Sequence, residues 1–409
     1  MDQETIKYLI LLIVSFNFIF EKLIDYLNVN RKTTEIPANL IGYLDGAKLK
    51  ESKVYQRTKY NFSLVSDTFS FVITFLLIVF GLFGWFDEWL RQYLQSPILL
   101  TLTYFAIIFI GSDLLSLPFD YYQTFKIEND FGFNKSTVKT FFIDKVKGYL
   151  LSIIIGGALL SLLLWLILEL GQDFWWIFWI VAALFMLLAN LFYTGLILPL
   201  FNKLTPLKEG ELKETITSYA QSVDFSLKNV FVMDGSKRSS KANAFFSGFG
   251  KRKKVVLYDT LIDQHSQEEL VAVLAHEIGH YKKGHIKSGM AAGVLQTGLL
   301  LYILSLFIFS EPLSMALGAN QMAIHLNIIG FTMLFSPISM IIGIGMNYLS
   351  RKNEFEADHF AKTTFSGLPL ASALKTLSVK TLSDIDPHPA YVFIHYSHPP
   401  LLKRLERLE

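Results

Sequence analysis

Two histidines flank a glutamate in the segment His276-Glu277-Ile278-Gly279-His280. Side chains four residues apart on an α-helix project from one face, so these two imidazoles can bind the same metal ion. Glu277 lies about 100° around such a helix from His276, beside the open position of the metal, where it acts as a base and not as a ligand. The spacing predicts a zinc hydrolase in which Glu277 takes a proton from a zinc-activated water and later protonates a leaving amine.

A hydrolytic zinc site usually has three protein ligands, so one more must be found. His285 follows His276 by nine residues, which does not fit the metzincin pattern, and we interpret it as a helix-end residue. Glu354 is the stronger candidate, because it directly follows the last of the apolar, membrane-crossing stretches described below. Two such helices, running out and back, would return the chain to the side of the membrane where the His-Glu-x-x-His (HExxH) segment must lie. Asp358, one helical turn later, can accept a hydrogen bond from the far nitrogen of a ligating histidine. Glu356 is expected to face solvent. The alternative interpretation of this acidic cluster is a charged helix start at the membrane surface.

Capping and alternation patterns predict the elements that position these residues. The capping box Ser266-Gln267-Glu268-Glu269 predicts that the metal-binding helix begins there, and it should end near Gly284. Strands are predicted at 229–234 and 254–258, with Asn243–Phe249 pairing with the second, and a helix at 208–223. The basic run at 251–254 is interpreted as a solvated hairpin turn, with contact to anionic headgroups or acidic substrates as the alternative.

Composition places the chain in a membrane. Of its 409 residues, 52% are hydrophobic and 18% are charged, and the mean hydropathy is +0.39. The net charge of only +2 argues against a chain built to bind nucleic acid. The chain has no cysteine, which excludes disulfides, thiolate zinc sites and cysteine nucleophiles.

Seven apolar stretches are long enough to cross about 30 Å of hydrocarbon: 8–27, 62–86, 98–118, 148–170, 174–201, 286–310 and 323–350. Lys and Arg concentrate in the connections after the first and third, which the positive-inside rule places in the cytoplasm together with the HExxH segment. We expect a mainly α-helical multispanning protein with seven transmembrane helices and a small cytoplasmic α/β zinc-protease domain. The predicted division is 1–201 for five membrane helices, 202–285 for the metalloprotease segment, 286–350 for two more membrane helices and 351–409 for a cytosolic segment that completes the zinc site.

Several motifs together resemble those of the type I CAAX prenyl proteases, multispanning zinc metalloproteases of the endoplasmic reticulum and of bacterial membranes. The resemblance covers nearly the whole chain. Besides the HExxH segment, it rests on 127–135, 199–207, Asn243-Ala244-Phe245, Ser350-Arg351 with the following Glu354-x-x-Ala357-Asp358, and 398–404.

This resemblance implies seven helices that enclose a water-filled chamber, with one zinc ion per chain at its cytoplasmic end. It implies a site in which the zinc ligands are His276, His280 and Glu354, and the base is Glu277. It also implies that Asn243, Ala244 and Phe245 belong to a strand that holds the substrate backbone by β-augmentation. His398 and Arg404 would border the site and stabilise the oxyanion.

The expected partners are the lipid bilayer and a peptide or protein substrate, prenylated or membrane-embedded, with no nucleic acid; the chain is expected to act as a monomer. The ending Arg407-Leu408-Glu409 lacks a lysine-rich retrieval signal, so we expect the bacterial cytoplasmic membrane, with the endoplasmic reticulum as the alternative. A bacterial location favours the alternative function of a membrane-protein quality-control protease without prenyl specificity. A non-catalytic transporter or receptor with structural zinc is a further alternative, in which Glu277 would have no purpose.

Overall fold

Helices joined mainly by short connections make up most of the chain. The structure, a computed structural model, describes residues 1–31, 35–225, 230–247 and 254–409. In the amino-terminal half the helices are α1 (Gln3–Val29), α2 (Gly46–Val79), α3 (Leu82–Arg91), α4 (Pro97–Tyr122), α5 (Glu128–Asp130), α6 (Val138–Leu151), α7 (Gly157–Leu170), α8 (Phe174–Phe192) and α9 (Leu198–Phe201). In the carboxy-terminal half they are α10 (Glu211–Ser222), α11 (Asp259–Ile262), α12 (Gln267–Lys282), α13 (His285–Phe307), α14 (Glu311–Ala316), α15 (Ile324–Thr364), α16 (Gly367–Lys380), α17 (Pro389–His395) and α18 (Leu401–Leu408).

Five helical stretches within the described ranges are long and apolar enough to cross a membrane: Gly46–Val79, Pro97–Asp130, Val138–Phe201, His285–Phe307 and Ile324–Thr364. The third contains two of the predicted crossings, because the chain turns at Gly171, where φ is +58°, and α8 packs against α7. The first predicted crossing lies in α1, which is not among the five; its Lys22 pairs with Asp25 and Asp67, each at 2.7 Å. The multispanning character is confirmed, and the number of seven stays a prediction.

In the part of the chain that the structure describes, four short strands form one mixed sheet beside the HExxH helix: β1 (Leu204–Pro206), β2 (Val230–Met233), β3 (Ala244–Ser247) and β4 (Lys254–Tyr258). Their order is β1-β2-β4-β3, with β2 parallel to β4 and both outer strands antiparallel to their neighbours. The predicted pairing of β3 with β4 is confirmed. β1 was not predicted, since three residues ending in proline give no alternating pattern. Parts of the predictions at Asn229, at 248–250 and in the basic run at 251–253 lie outside the described residues.

The HExxH helix, α12, begins where the capping box predicts. The backbone N–H of Glu269 donates to Oγ of Ser266 at 3.3 Å, and the backbone N–H of Ser266 donates to Oε2 of Glu269 at 3.0 Å. The helix ends at Lys282, and the left-handed Gly284 (φ +77°) leads the chain directly into α13. Both predicted ends are therefore confirmed.

At Gly279 the backbones of α12 and α15 come into close contact. A Cβ built on Gly279 would lie 3.1 Å from both Cα and O of Ala357, so a larger residue would require the two backbones to move apart by a few tenths of an ångström. Ala357 belongs to the same turn as Glu354 and Asp358. The close contact therefore brings both carboxylates toward the histidines that flank Gly279.

Helix α17 is held against α15 by side chains that donate to its last carbonyls. Nδ2 of Asn347 donates to the carbonyl of Ile394 at 2.7 Å, and the guanidinium of Arg351 donates to the carbonyl of Tyr396. Carbonyls at a helix end have few partners within the helix, so such donors stabilise it. The segment that follows is thereby positioned to bring His398 to the candidate metal ligands.

Candidate metal centre

His276, His280 and Glu354 bring their ligand atoms together between α12 and α15. The Nε2 atoms of the two histidines lie 3.1 Å apart, and oxygens of Glu354 lie 3.2 Å from Nε2 of His280 and 3.5 Å from Nε2 of His276. One ligand atom from each of the three residues lies within 4.8 Å of the others. Two imidazoles and a carboxylate are a donor set of catalytic zinc sites, which keep a fourth position for water or substrate. The residues present fit a zinc ion.

A buried carboxylate and guanidinium lie behind His276. Oδ1 of Asp358 is 2.9 Å from Nδ1 of His276. Arg404 donates to both oxygens of Asp358, from Nε at 2.8 Å and from Nη2 at 2.6 Å, while its Nη1 lies 3.4 Å from Oε2 of Glu354. When the His276 ring is neutral, a proton on Nδ1 therefore faces a carboxylate, which leaves Nε2 unprotonated and able to bind a metal.

The surroundings shift the protonation of both His276 and Glu277. Burial alone would lower the pKa of His276, but Asp358 and Glu354 outweigh that effect and raise the pKa to about 9. Burial raises the pKa of Glu277, and the charges of His276 and His280 only partly oppose it. A carboxyl group with a raised pKa can both take and return a proton near neutral pH.

A cavity of about 530 Å³ opens onto the metal centre. The polar residues that line it include six of the predicted site residues: Asn243, His276, Glu277, Glu354, His398 and Arg404. Ala244, at the start of β3, also lines the cavity, as do the apolar residues Val273, Leu370, Leu374 and Leu377. Two of the candidate ligands, His276 and Glu354, therefore share one cavity with the candidate base and an apolar surface.

His398 and Arg404 both approach Oε2 of Glu354, but they differ in exposure. Nδ1 of His398 is 2.9 Å from Oε2 of Glu354, and 66% of the His398 side chain is exposed. Arg404 is only 8% exposed and is bound to carboxylates. His398 is therefore the group that a molecule in the cavity can contact directly, whereas Arg404 acts mainly on Asp358 and Glu354.

Strand β3 is an edge strand of the described sheet, and its first residue, Ala244, lines the cavity. The carbonyl of Asn243 accepts from the backbone N–H of Tyr258 at 3.1 Å, which extends the pairing with β4 by one residue. Phe245 is not among the described residues that line the cavity. Its ring packs near that of Tyr258, with centroids 6.4 Å apart. Within the described ranges no strand pairs with the outer edge of β3.

His285 and Glu356 make a contact that the sequence analysis did not predict. His285 lies at a helix end, as interpreted, but it is 9% exposed, its Nδ1 lies 3.0 Å from Nδ1 of His280, and its Nε2 lies 3.2 Å from Oε2 of Glu356. The side chain of Glu356 is 41% exposed, so it reaches solvent as well as His285. Sequence spacing missed this contact because it depends on the turn at Gly284, and the Gly-His pair after the motif was the only available signal.

Family models match both halves of the chain. Residues 25–203 match the model described as CAAX prenyl protease N-terminal, five membrane helices, and residues 206–409 match Peptidase family M48. The first match overlaps the predicted membrane helices, and the second contains every candidate site residue. Together they cover nearly the whole chain, as the sequence resemblance does.

Full-length relatives and a solved structure agree with these matches. The CAAX prenyl protease 1 homolog of Arabidopsis thaliana is 34% identical over 401 residues, covering 96% of this chain and 95% of the relative. CAAX prenyl protease 1 of Saccharomyces cerevisiae is 33% identical, covering 96% and 92%. The crystal structure of S. mikatae Ste24p is 33% identical with a TM-score of 0.91, covering 99% of both chains. These eukaryotic relatives do not favour the bacterial quality-control alternative. The chain belongs to the CAAX prenyl protease family of M48 peptidases and is a membrane metalloendopeptidase.

Proposed function

We propose that His276, His280 and Glu354 hold a zinc ion with which this endopeptidase cleaves peptide bonds, and that Glu277 is its base. The observation that carries the proposal is the convergence of these three side chains within 4.8 Å of one another, beside a cavity that Glu277 also lines. A structural zinc site usually has four protein ligands. Three ligands and an adjacent carboxyl group support a catalytic site instead.

Each side chain has a separate task in the proposed reaction. A bound zinc ion supplies a Lewis acid, which lowers the pKa of a water molecule toward about 7 and polarises a carbonyl group. Glu277 accepts a proton on its carboxylate and returns it to the leaving amine nitrogen as the C–N bond breaks. His398 donates from its ring to the oxygen that becomes negative, an effect commonly of about 3 kcal/mol. Arg404 adds positive charge behind Glu354 and holds Asp358, which orients His276.

We extend the substrate class in the relatives' names, a prenylated CAAX peptide, to this chain. The open edge of β3 supports this proposal, because an extended peptide can add to it as a strand near Asn243 and Ala244. The apolar wall formed by Val273, Leu374 and their neighbours suits apolar side chains of such a peptide. In this arrangement backbone hydrogen bonds align the peptide, and the cavity selects its side chains. Phe245 contributes through its backbone.

The proposed topology keeps seven crossings around a chamber, with the site in the cytoplasm. The five apolar stretches become six when Val138–Phe201 is counted as two crossings, and seven when α1 is added. Basic residues in the connections after α1 and α4 support the orientation. We retain the division at 1–201, 202–285, 286–350 and 351–409, and a monomer. The eukaryotic relatives favour the endoplasmic reticulum over the bacterial cytoplasmic membrane.

The test uses the full chain in lipid vesicles with a farnesylated CAAX peptide and the same peptide without the farnesyl group. We expect cleavage of the farnesylated peptide, and we expect Glu277→Gln to bind zinc but to lose a factor of about 10²–10⁴ in rate. Glu268→Gln, an exposed change on the same helix, is the control. Cleavage by Glu277→Gln at the control rate would contradict the proposed base. Equal cleavage of both peptides would instead support a protease without prenyl specificity.

A further inference from the structure

The two candidate histidine ligands have different neighbours on their far nitrogens. Nδ1 of His276 lies 2.9 Å from the carboxylate of Asp358. Nδ1 of His280 lies 3.0 Å from another imidazole, that of His285, whose Nε2 lies 3.2 Å from Oε2 of Glu356. The second ligand therefore reaches a carboxylate through an intermediate ring.

Zinc binding by Nε2 of His280 would fix which nitrogen carries each proton in this row. If Nε2 of His280 binds zinc, Nδ1 of His280 carries the proton and donates to the unprotonated Nδ1 of His285. The remaining proton of His285 is then on Nε2, from which it donates to Glu356. Every donor in this row has an acceptor, and every ring is neutral. The row therefore matches the state that a ligating His280 requires.

Burial and backbone geometry hold the row in place. His285 is the first residue of α13, directly after the left-handed Gly284, and its side chain is 7% exposed. Glu356 is anchored more loosely, since 41% of its side chain is exposed and its other oxygen lies 3.8 Å from Nζ of Lys352. A buried imidazole in one fixed position restricts the rotation of the His280 ring more than solvent would.

From this arrangement we infer that His285 is a positioning residue for zinc, with Glu356 as the acceptor that fixes its tautomer. The inference rests on the zinc-site part of the proposed function. Removing a partner of this kind typically weakens metal binding about 10–100-fold. The loss from a change at His285 should exceed that from a change at Glu356, because a half-exposed acceptor can be replaced by water.

The test measures zinc affinity of the full chain in detergent by competition with a chelator, beside the thermal midpoint of the zinc-free protein. We expect His285→Ala to weaken zinc binding about 10–100-fold. We expect His285→Gln to recover part of that loss, because its amide offers both an acceptor and a donor. His359→Ala, an exposed histidine on α15, is the matched control and should bind zinc as the unchanged protein does.

Glu356 gives a second arm, in case a change at the buried His285 prevents folding. We expect Glu356→Ala to weaken zinc binding about 3–10-fold, and Glu356→Gln, which keeps an acceptor oxygen, to stay close to the unchanged protein. The inference is overturned if His285→Ala binds zinc as tightly as the control does. If His285→Ala does not fold, the same result for Glu356→Ala overturns it. A loss of zinc affinity in His285→Ala also overturns the inference if His285→Gln does not recover it and the thermal midpoint of the zinc-free protein is lowered in parallel. These measurements need no substrate, so zinc binding without peptidase activity would contradict the proposed function alone.

Discussion

Replacing Asp358 by asparagine tests how much the buried charges behind His276 contribute. Asp358 is 1% exposed, and it accepts two hydrogen bonds from Arg404 at 2.8 and 2.6 Å. Removing one partner of a buried ion pair typically costs about 3–5 kcal/mol, because the other charge stays buried. Glu354 still faces Arg404 at 3.4 Å, so we expect a loss of stability of about 3 kcal/mol, the lower end of that range.

The same change should weaken zinc binding, because asparagine provides a poorer acceptor for Nδ1 of His276. We expect a loss of about 10–100-fold, which corresponds to about 1.4–2.7 kcal/mol. Chelator competition gives the zinc affinity, and thermal unfolding of the zinc-free protein in detergent gives the stability. Asp263→Asn, at an exposed aspartate, is the control.

A double variant separates the ion pair from the orientation of His276. Adding Arg404→Gln to Asp358→Asn removes the unpaired cation, so the two losses of stability should not add, and the shortfall should be about 1–3 kcal/mol. Zinc affinity should stay low in the double variant, because His276 still lacks its carboxylate. If Asp358→Asn binds zinc and unfolds as the control does, the assigned role of Asp358 is wrong.

Three further predictions concern α12. Gly279→Ala should destabilise the protein by about 1–3 kcal/mol and slow hydrolysis, because its Cβ would lie 3.1 Å from the backbone of Ala357. Gly289→Ala, whose Cβ would meet nothing within 4 Å, is the control for both measurements. Equal stability and equal rates in the two variants would contradict the prediction. Ser266→Ala should lower the unfolding free energy by about 1 kcal/mol through loss of the cap, and an unchanged midpoint would argue against it. Below its pKa of about 9, His276 holds a proton that zinc must displace. The apparent zinc affinity should therefore fall up to tenfold per pH unit below that value and level off above it. Chelator titrations across this pH range test the prediction.

The sequence was most informative where a local pattern determines structure. The capping box at Ser266 and the glycine at Gly284 define the ends of α12, because both act within one helical turn. The HExxH spacing places His276 and His280 on one face for the same reason. The count of apolar stretches predicted that Glu354 lies on the same side of the membrane as the HExxH segment. In the structure Glu354 lies beside both histidines.

Contacts that depend on packing were beyond these patterns. The row from His280 through His285 to Glu356 requires the relative positions of three helices. Arg404 was assigned to the oxyanion, and its bonds to Asp358 follow only from the way α18 crosses α15. The count of membrane crossings is also undecided by hydropathy alone, because the charged end of α1 lies against other helices.

The continuous helix α15 extends from its apolar, membrane-crossing part to the candidate metal ligand Glu354. It has 41 residues, and Pro337 in its apolar part lies 17 residues before Glu354, which is about 25 Å along the axis. Proline is a point at which a helix bends, and a tilt of about 5° there would move the carboxylate by about 2 Å. Catalytic groups must keep their geometry to about 0.5 Å. Because hydrophobic thickness influences how membrane helices tilt, the length of the surrounding acyl chains should set the rate of hydrolysis, with one thickness giving a maximum.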